Sequence, residues 1–236
     1  MIITNITEET LVKNLLKTEQ IIKQTYKIRP IPFQKGYKFI KGNYPILLSA
    51  PHAARTIQKG KIKLRENYVG AFVQNLSKIC RVYGIYTTNI IHDPNSNNSS
   101  KYKIKIKQLI EKGLIKLVID IHGLHKSQEF DVDIGTYNHQ SILGNIKIID
   151  ILKKSFNKNG FENISENFFT TTIKNTVTNF SYKKGIPAVQ LEINKSSRNL
   201  NIQKNSTLRM FKALYEAVEI LKADFVEVDK NCLSTL

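Results

Sequence analysis

Apolar residues along this chain recur with two different periods, and the switches between them outline its elements. In residues 7–26, Leu11, Leu15, Leu16, Ile21 and Ile22 return at near-helical spacing behind Thr7, Glu8 and Glu9. That pattern predicts an amphipathic helix leaning on the rest of the molecule. Pro30 and Pro32 end it, because proline disfavours helix at its own position and just before it. Residues 37–40 read as a strand, with Gly42-Asn43 as the turn of a hairpin into the next one. Residues 46–50 form a short unbroken apolar run, as expected of a strand buried on both faces, and Pro51 stops it just before His52.

From Arg65-Glu66-Asn67 onward, Phe72, Val73, Leu76, Ile79 and Cys80 fall on one helical face, and Gly84 is expected to close that helix. A strand over residues 85–91 leads into a loop of turn-forming residues over 92–100. A basic helix follows over 101–112, with Ile104, Leu109 and Ile110 inward and Gly113 at its end. The β-branched run from Leu117 reads as a buried strand that breaks at Asp120, His122 and Gly123. In residues 131–136 Asp131 and Asp133 alternate with Val132 and Ile134, placing both carboxylates on one side of a strand. They fit a cation site, or a strand entrance facing solvent or lysines. Residues 142–156 predict a helix, 168–173 an extended segment and 175–182 a polar, helical stretch. The apolar run 187–193 reads as a strand interrupted by Glu192, and Leu208, Phe211, Leu214, Tyr215, Val218 and Leu221 mark a last helix. This alternation implies an α/β fold: three layers in a single domain over residues 1–236, with a central mixed, largely parallel sheet between helices. Residues 1–30 would be a helical extension packed on it.

Composition narrows the function. With 236 residues and 41% hydrophobic content the chain can build one substantial core. No apolar run approaches the ~20 residues that cross a bilayer, and the N-terminus shows neither a basic n-region nor a cleavage site, so the expected location is the cytoplasm. Two cysteines, Cys80 and Cys232, provide neither a disulfide framework nor a structural zinc spacing. The net charge of +17 would suit a polyanion binder. Its source, however, is lysine scattered through an Ile- and Asn-rich chain, with no basic tail and no nucleic-acid motif. An anionic small molecule fits that charge better than nucleic acid does.

Chemistry concentrates where strands end, which is where ligands of open α/β sheets gather. His52, His122 and Glu192 all lie at such ends. Each has an ordinary alternative: a histidine bonded only to structure, or a buried carboxylate paired with Arg198. Glu66 near a helix start is also what the helix dipole favours by itself. Taken together, two histidines and a carboxylate are the ligand set of a catalytic zinc with one position open for water. A further carboxylate would move the proton. On this reading His52, Glu66 and His122 hold Zn2+, Glu192 is the catalytic carboxylate and Asp120 supports the ligands from behind. No Gly-x-Ser-x-Gly elbow and no Gly-rich phosphate loop is present, which argues against a serine nucleophile and against nucleotide chemistry. His92, His125 and His139 read as loop residues.

At these positions the chain resembles the N-formylglutamate amidohydrolase family, itself related in fold to zinc carboxypeptidases and succinylglutamate desuccinylases. The resemblance lies in Ser49-Ala50-Pro51-His52-Ala53, Glu66, Asp120-Ile121-His122-Gly123, Asp133-Ile134-Gly135-Thr136 and Gln190-Leu191-Glu192-Ile193-Asn194, in that order. It implies a phosphorylase/hydrolase-like fold, the same three zinc ligands and Glu192 as the catalytic carboxylate. The activity it implies is hydrolysis of a small N-acyl amino acid, peptide or related amide, with an anionic substrate. Two departures stand out. The place three residues after the first histidine, acidic in carboxypeptidases, is Arg55 here, and the Asn-Arg pair that holds a substrate carboxylate is reduced to Asn95 followed by Ser96. Arg55, Arg65 or Arg198 are the arginines available to replace it, since a guanidinium offers carboxylate a two-pronged fork. Asn95 and Thr136 complete the expected substrate contacts. The competing expectation is a catalytically degenerate binding protein on the same scaffold, with its lysines on a polyanion. Oligomeric state is left open.

Overall fold

The computed structural model describes residues 6–25, 35–169 and 175–233. In chain order the first elements are α1 (Glu8–Thr25), β1 (Tyr37–Ile40), β2 (Tyr44–Ala50), β3 (Thr56–Gln58), β4 (Lys61–Lys63) and α2 (Val69–Cys80). Next come β5 (Val82–Thr87), β6 (Ile91–His92), α3 (Lys101–Glu111), β7 (Leu117–Leu124) and β8 (Val132–Gly135). The last are α4 (Lys147–Lys158), β9 (Ile164–Glu166), α5 (Val177–Tyr182), β10 (Ala188–Asn194), α6 (Lys195–Arg198) and α7 (Lys204–Leu233). Seven strands form one sheet in the order β1-β5-β2-β7-β10-β8-β9. Its centre, β5, β2, β7 and β10, is parallel, while β1 and β8 run antiparallel to their inner neighbours. The fold is therefore the α/β, mixed-sheet architecture with helices on both faces that the alternation of elements predicts. Among the described residues no helix is long and apolar enough to cross a membrane.

The pleat sorts the central strands into two faces. Ile46, Leu48 and Ala50 of β2, Ile119 and Ile121 of β7, and Val189, Leu191 and Ile193 of β10 join the core shared with α1, α2, α4 and α7. The opposite face begins apolar, with Leu47, Val118 and Ala188 packed under Tyr102, Ile106 and Val177 of α3 and α5. Toward the carboxyl ends of the strands the same face turns polar. Ser49, Asp120 and Gln190 form one row, and His122 and Glu192 form the next. Ser49 and Tyr102 serve as its floor: the Ser49 hydroxyl donates to Asp120 Oδ1 at 2.7 Å, and Tyr102 Oη donates to the Ile85 carbonyl at 2.9 Å.

Several sequence expectations are corrected by packing. No hairpin joins β1 to β2, because β5 lies between them. Gly42 makes this crossing possible: a Cβ there would sit 2.3 Å from the backbone of Val82 and Tyr83, and Asn43 N–H bonds the Arg81 carbonyl at 2.7 Å. Gly84 does not end α2. That helix stops at Cys80 on the left-handed Arg81 (φ 59°), whose N–H returns to the Ser77 carbonyl. Gly84 lies inside β5, where a side chain would strike Ser77 Oγ at 2.3 Å, so its task is close packing of helix on strand. The expected helix 142–156 begins only at Lys147, after Leu143 (φ 54°) and Gly144 (φ 77°) make a left-handed turn. In α1 the buried stripe is narrower than expected: Leu11, Leu15, Thr18 and Ile22 face inward while Leu16 and Ile21 are exposed. In α3, Ile104 is exposed and Lys103 is buried in its stead. The stop at Pro30 and Pro32 and the segment 170–173 lie outside the described residues.

Candidate metal centre

His52 follows Pro51 at the end of β2, and the loop that carries it is clamped by Thr87 of β5, whose hydroxyl donates to the Pro51 carbonyl and accepts from Ala54 N–H. Fourteen residues later the chain returns. Glu66 N–H bonds the His52 carbonyl at 2.9 Å, and Glu66 Oε2 accepts from Gly123 N–H at 2.8 Å. Glu66 thus lies ahead of α2, held by the two strand ends, and is not part of that helix. His122 arrives directly on β7, whose ladder continues past it to Leu124.

The three side chains meet at one point. His52 Nδ1 is 2.9 Å from Glu66 Oε1 and 3.1 Å from His122 Nδ1, and His122 Nδ1 is 3.3 Å from Glu66 Oε2. One ligand atom from each lies within 4.8 Å of the others. A tetrahedral ion with bonds of ~2.0–2.1 Å has edges of ~3.3 Å between its ligands, so the spacing fits such an ion. The far nitrogen of each ring is engaged by a carboxylate: His52 Nε2 by Asp93 Oδ1 at 2.9 Å and His122 Nε2 by Asp120 Oδ2 at 3.1 Å. A carboxylate behind an imidazole holds the proton on Nε2 and leaves the Nδ1 lone pair for a metal. Two imidazole nitrogens and a carboxylate oxygen, all shielded from solvent, are a donor set suited to zinc.

Electrostatics agree with a cation site. Burial disfavours a charged His122, but Asp120 and Glu66 outweigh it and hold its pKa well above the usual value. For His52 burial is likewise overcome, here by Glu66 and Asp93, and the pKa is raised. Burial would lift the Glu66 carboxyl, yet the two imidazoles hold it well below the usual range.

Glu192 stands beside this cluster. It is in register with His122 on one side and Asp133 on the other, so its carboxylate shares their face at one strand spacing, ~4.8 Å. Gln190 Nε2 donates to Glu192 Oε1 at 2.8 Å. Burial, with some help from Glu66, pushes its pKa up against the pull of His122 and His52.

The expected substrate contacts distribute less evenly. Asn95 is at the centre's edge, with Nδ2 3.5 Å from His122 Nε2 and Oδ1 accepting from Val177 N–H. Arg55 is half-buried and lines a cavity of about 380 Å³ with Arg65, Lys23 and Lys195. Arg198 lines a cavity beside Glu66 and Gly123, and its guanidinium is also engaged by backbone. Buried, it donates through Nε to the Ile193 carbonyl, through Nη1 to that of Asn67 and through Nη2 to that of Leu124, clamping the ends of β7 and β10. Its guanidinium lies where a Gly123 side chain would be, with a Cβ at that position only 2.5 Å away. Thr136 is also elsewhere: β8 runs antiparallel to β10, with Gly135 opposite Gln190, so Thr136 lies toward the amino end of β10. There it is buried and bonded to Asn167 Oδ1. Asp133 is buried as well, accepting from Ser165 Oγ and from the N–H groups of Phe168 and Phe169, and faces neither solvent nor lysine.

Two residues of the centre are absent from the sequence reading. Asp93, fully buried, follows β6; only its place between His92 and Pro94 at a strand end hinted at it. Lys63 sends its ammonium to 3.2 Å from His52 Nδ1, which one more lysine in a lysine-rich connection could not signal.

No protein-family model matches the chain, and comparison with curated proteins finds no match. Among solved structures it is similar to an N-formylglutamate amidohydrolase from Ralstonia eutropha JMP134, with TM-score 0.59 and 8% identity over 82% of this chain and 99% of that one. It is similar also to a bacteriophage poly-gamma-glutamate hydrolase, with TM-score 0.50, 14% identity, 82% of this chain and 91% of that one. A metallo-carboxypeptidase from Burkholderia cenocepacia gives TM-score 0.50 and 12% identity over 95% of this chain and 70% of that one. At these identities the likeness is one of fold.

Proposed function

We propose that this protein is a zinc-dependent hydrolase that cleaves an amide bond in a small N-acyl amino acid, peptide or related amide. The observation that carries this reading is the meeting of His52 Nδ1, His122 Nδ1 and a Glu66 oxygen at ligand spacing, with Glu192 next to His122 in the same row. The similarity in fold to an amidohydrolase, a poly-gamma-glutamate hydrolase and a metallo-carboxypeptidase supports it. Zinc in this place would polarise the amide carbonyl and acidify a neighbouring water. Glu192 then has the role of taking the water proton and passing it to the departing nitrogen. A carboxylate whose proton affinity is raised by burial suits that exchange.

An anionic substrate is supported by the groove beside the centre. A cavity of about 240 Å³ lined by Glu66, Gly123, His125 and Lys195 shares Leu64, Arg65, Asn67 and Lys195 with the cavity of about 380 Å³ that holds Arg55. Arg65 is paired with Glu19 through Nη2, but its Nη1 is buried with no hydrogen-bond partner among the described residues. Such a guanidinium edge can take a carboxylate. Lys63 inside the centre is the observation that favours the other reading, a binding protein without metal.

Chelation separates the two. Protein stripped of metal is expected to lose hydrolysis of N-acylated acidic amino acids and to regain it on adding zinc. Undiminished hydrolysis after stripping sinks the proposal. Asp93→Asn, which weakens the support behind His52, is expected to lower zinc affinity by about 10–100-fold in a competition titration. An unchanged affinity would leave Asp93 without a part in the centre.

A further inference from the structure

We propose that Lys63 is a built-in competitor for the metal centre: its ammonium takes the cation's place between His52 and Glu66, and a divalent ion enters by displacing it. The inference rests on the metal-centre reading above. The Lys63 ammonium lies 3.2 Å from His52 Nδ1 and 3.5 Å from Glu66 Oε1, the two atoms that also face the ion position. With the His52 proton held on Nε2 by Asp93, the Nδ1 lone pair is open to a donor, and an ammonium supplies one. An ion ~2.0–2.1 Å from those same atoms would share two of its ligands with the ammonium, and two cations drawn to one pair of buried donors repel each other.

The way out is also present. Lys63 ends β4, the second strand of a hairpin turned at Lys59 (φ 49°) and Gly60 (φ 74°). It pairs with buried Thr56, so it shares the inward face, while Ile62 on the other face is exposed. The Lys63 side chain is 39% exposed, so it can swing to solvent. Strands β4, β3 and β6 form a sheet of their own, and the hairpin can shift without breaking a ladder of the main sheet. Its third strand bears on the centre too: Asp93 N–H bonds the Ile57 carbonyl at 3.0 Å, tying the hairpin to the carboxylate behind His52.

The test is zinc titration of the metal-stripped full chain against a competing chelator, comparing wild type with Lys63→Met and Lys63→Arg, each checked for an unchanged melting profile. Lys63→Met is expected to bind zinc about tenfold tighter or more, and Lys63→Arg to stay near wild type, since it keeps the competing charge. Hydrogen exchange supplies a second readout. Zinc should speed exchange of the hairpin amides over residues 57–63 in wild type and leave them unchanged in Lys63→Met. Equal or weaker zinc binding by Lys63→Met overturns the competitor role while leaving the metal centre intact. Failure of both proteins to take up zinc overturns the centre itself, and the competitor with it.

Discussion

His122→Ala is expected to yield protein without stoichiometric zinc and with amide hydrolysis at background. Three donors define the centre, and this substitution removes one that is almost wholly buried, with Nδ1 turned to Glu66 and Nε2 held by Asp120. Two remaining ligands cannot hold a catalytic zinc against water, and Asp120 is left buried without the ring it supports. Asp120 keeps the Ser49 hydroxyl but loses its ion partner, so the alanine variant is also expected to be less stable, by about 1–3 kcal/mol. His122→Asn keeps a polar group next to Asp120 and separates the two effects. Zinc content by elemental analysis, hydrolysis and a melting curve on both variants decide the matter. A folded His122→Asn protein that carries one zinc per chain would take His122 out of the ligand set.

Glu192→Gln is expected to do the opposite to the metal. The side chain is isosteric, it sits in register with His122 without being one of the three converging ligands, and Gln190 can still hydrogen-bond to it. Zinc content should therefore match wild type. Turnover should fall by about 100-fold or more, as expected when a general base loses the ability to accept a proton. The loss should appear in kcat more than in KM, because in the proposed reaction Glu192 would act on the reacting proton and not on the body of the substrate. Near-normal kcat in a zinc-loaded Glu192→Gln protein would remove Glu192 from the reaction.

Much of this was legible from local pattern because strand ends are local events. The apolar runs before Pro51, His122 and Glu192 place those residues at the rim of a sheet without reference to any neighbour. Glu66 was the least legible of the three ligands, since a carboxylate before a helix has an ordinary explanation of its own. It reaches the centre through two long-range contacts, with the His52 carbonyl and the Gly123 amide. Arg198 and Thr136 illustrate the reverse. Arginine and threonine near a conspicuous motif suggest ligand contacts, but the direction of β8 carries Thr136 away from the centre, and the three carbonyls around the Arg198 guanidinium show a structural use that its residue type does not signal.

The order of apolar and polar positions by itself determined the α/β class, the alternation of strands and helices and the set of side chains presented at strand ends, because period and burial are properties of each segment alone. Tertiary structure decided which strand lies beside which: that β5 separates β1 from β2, that β8 is reversed, and that a short hairpin brings Lys63 and, through β6, Asp93 to His52. Those outcomes depend on contacts between residues distant in the chain, where backbone clearance at Gly42 and Gly84 and compensation of buried charge choose among arrangements that local pattern leaves equal.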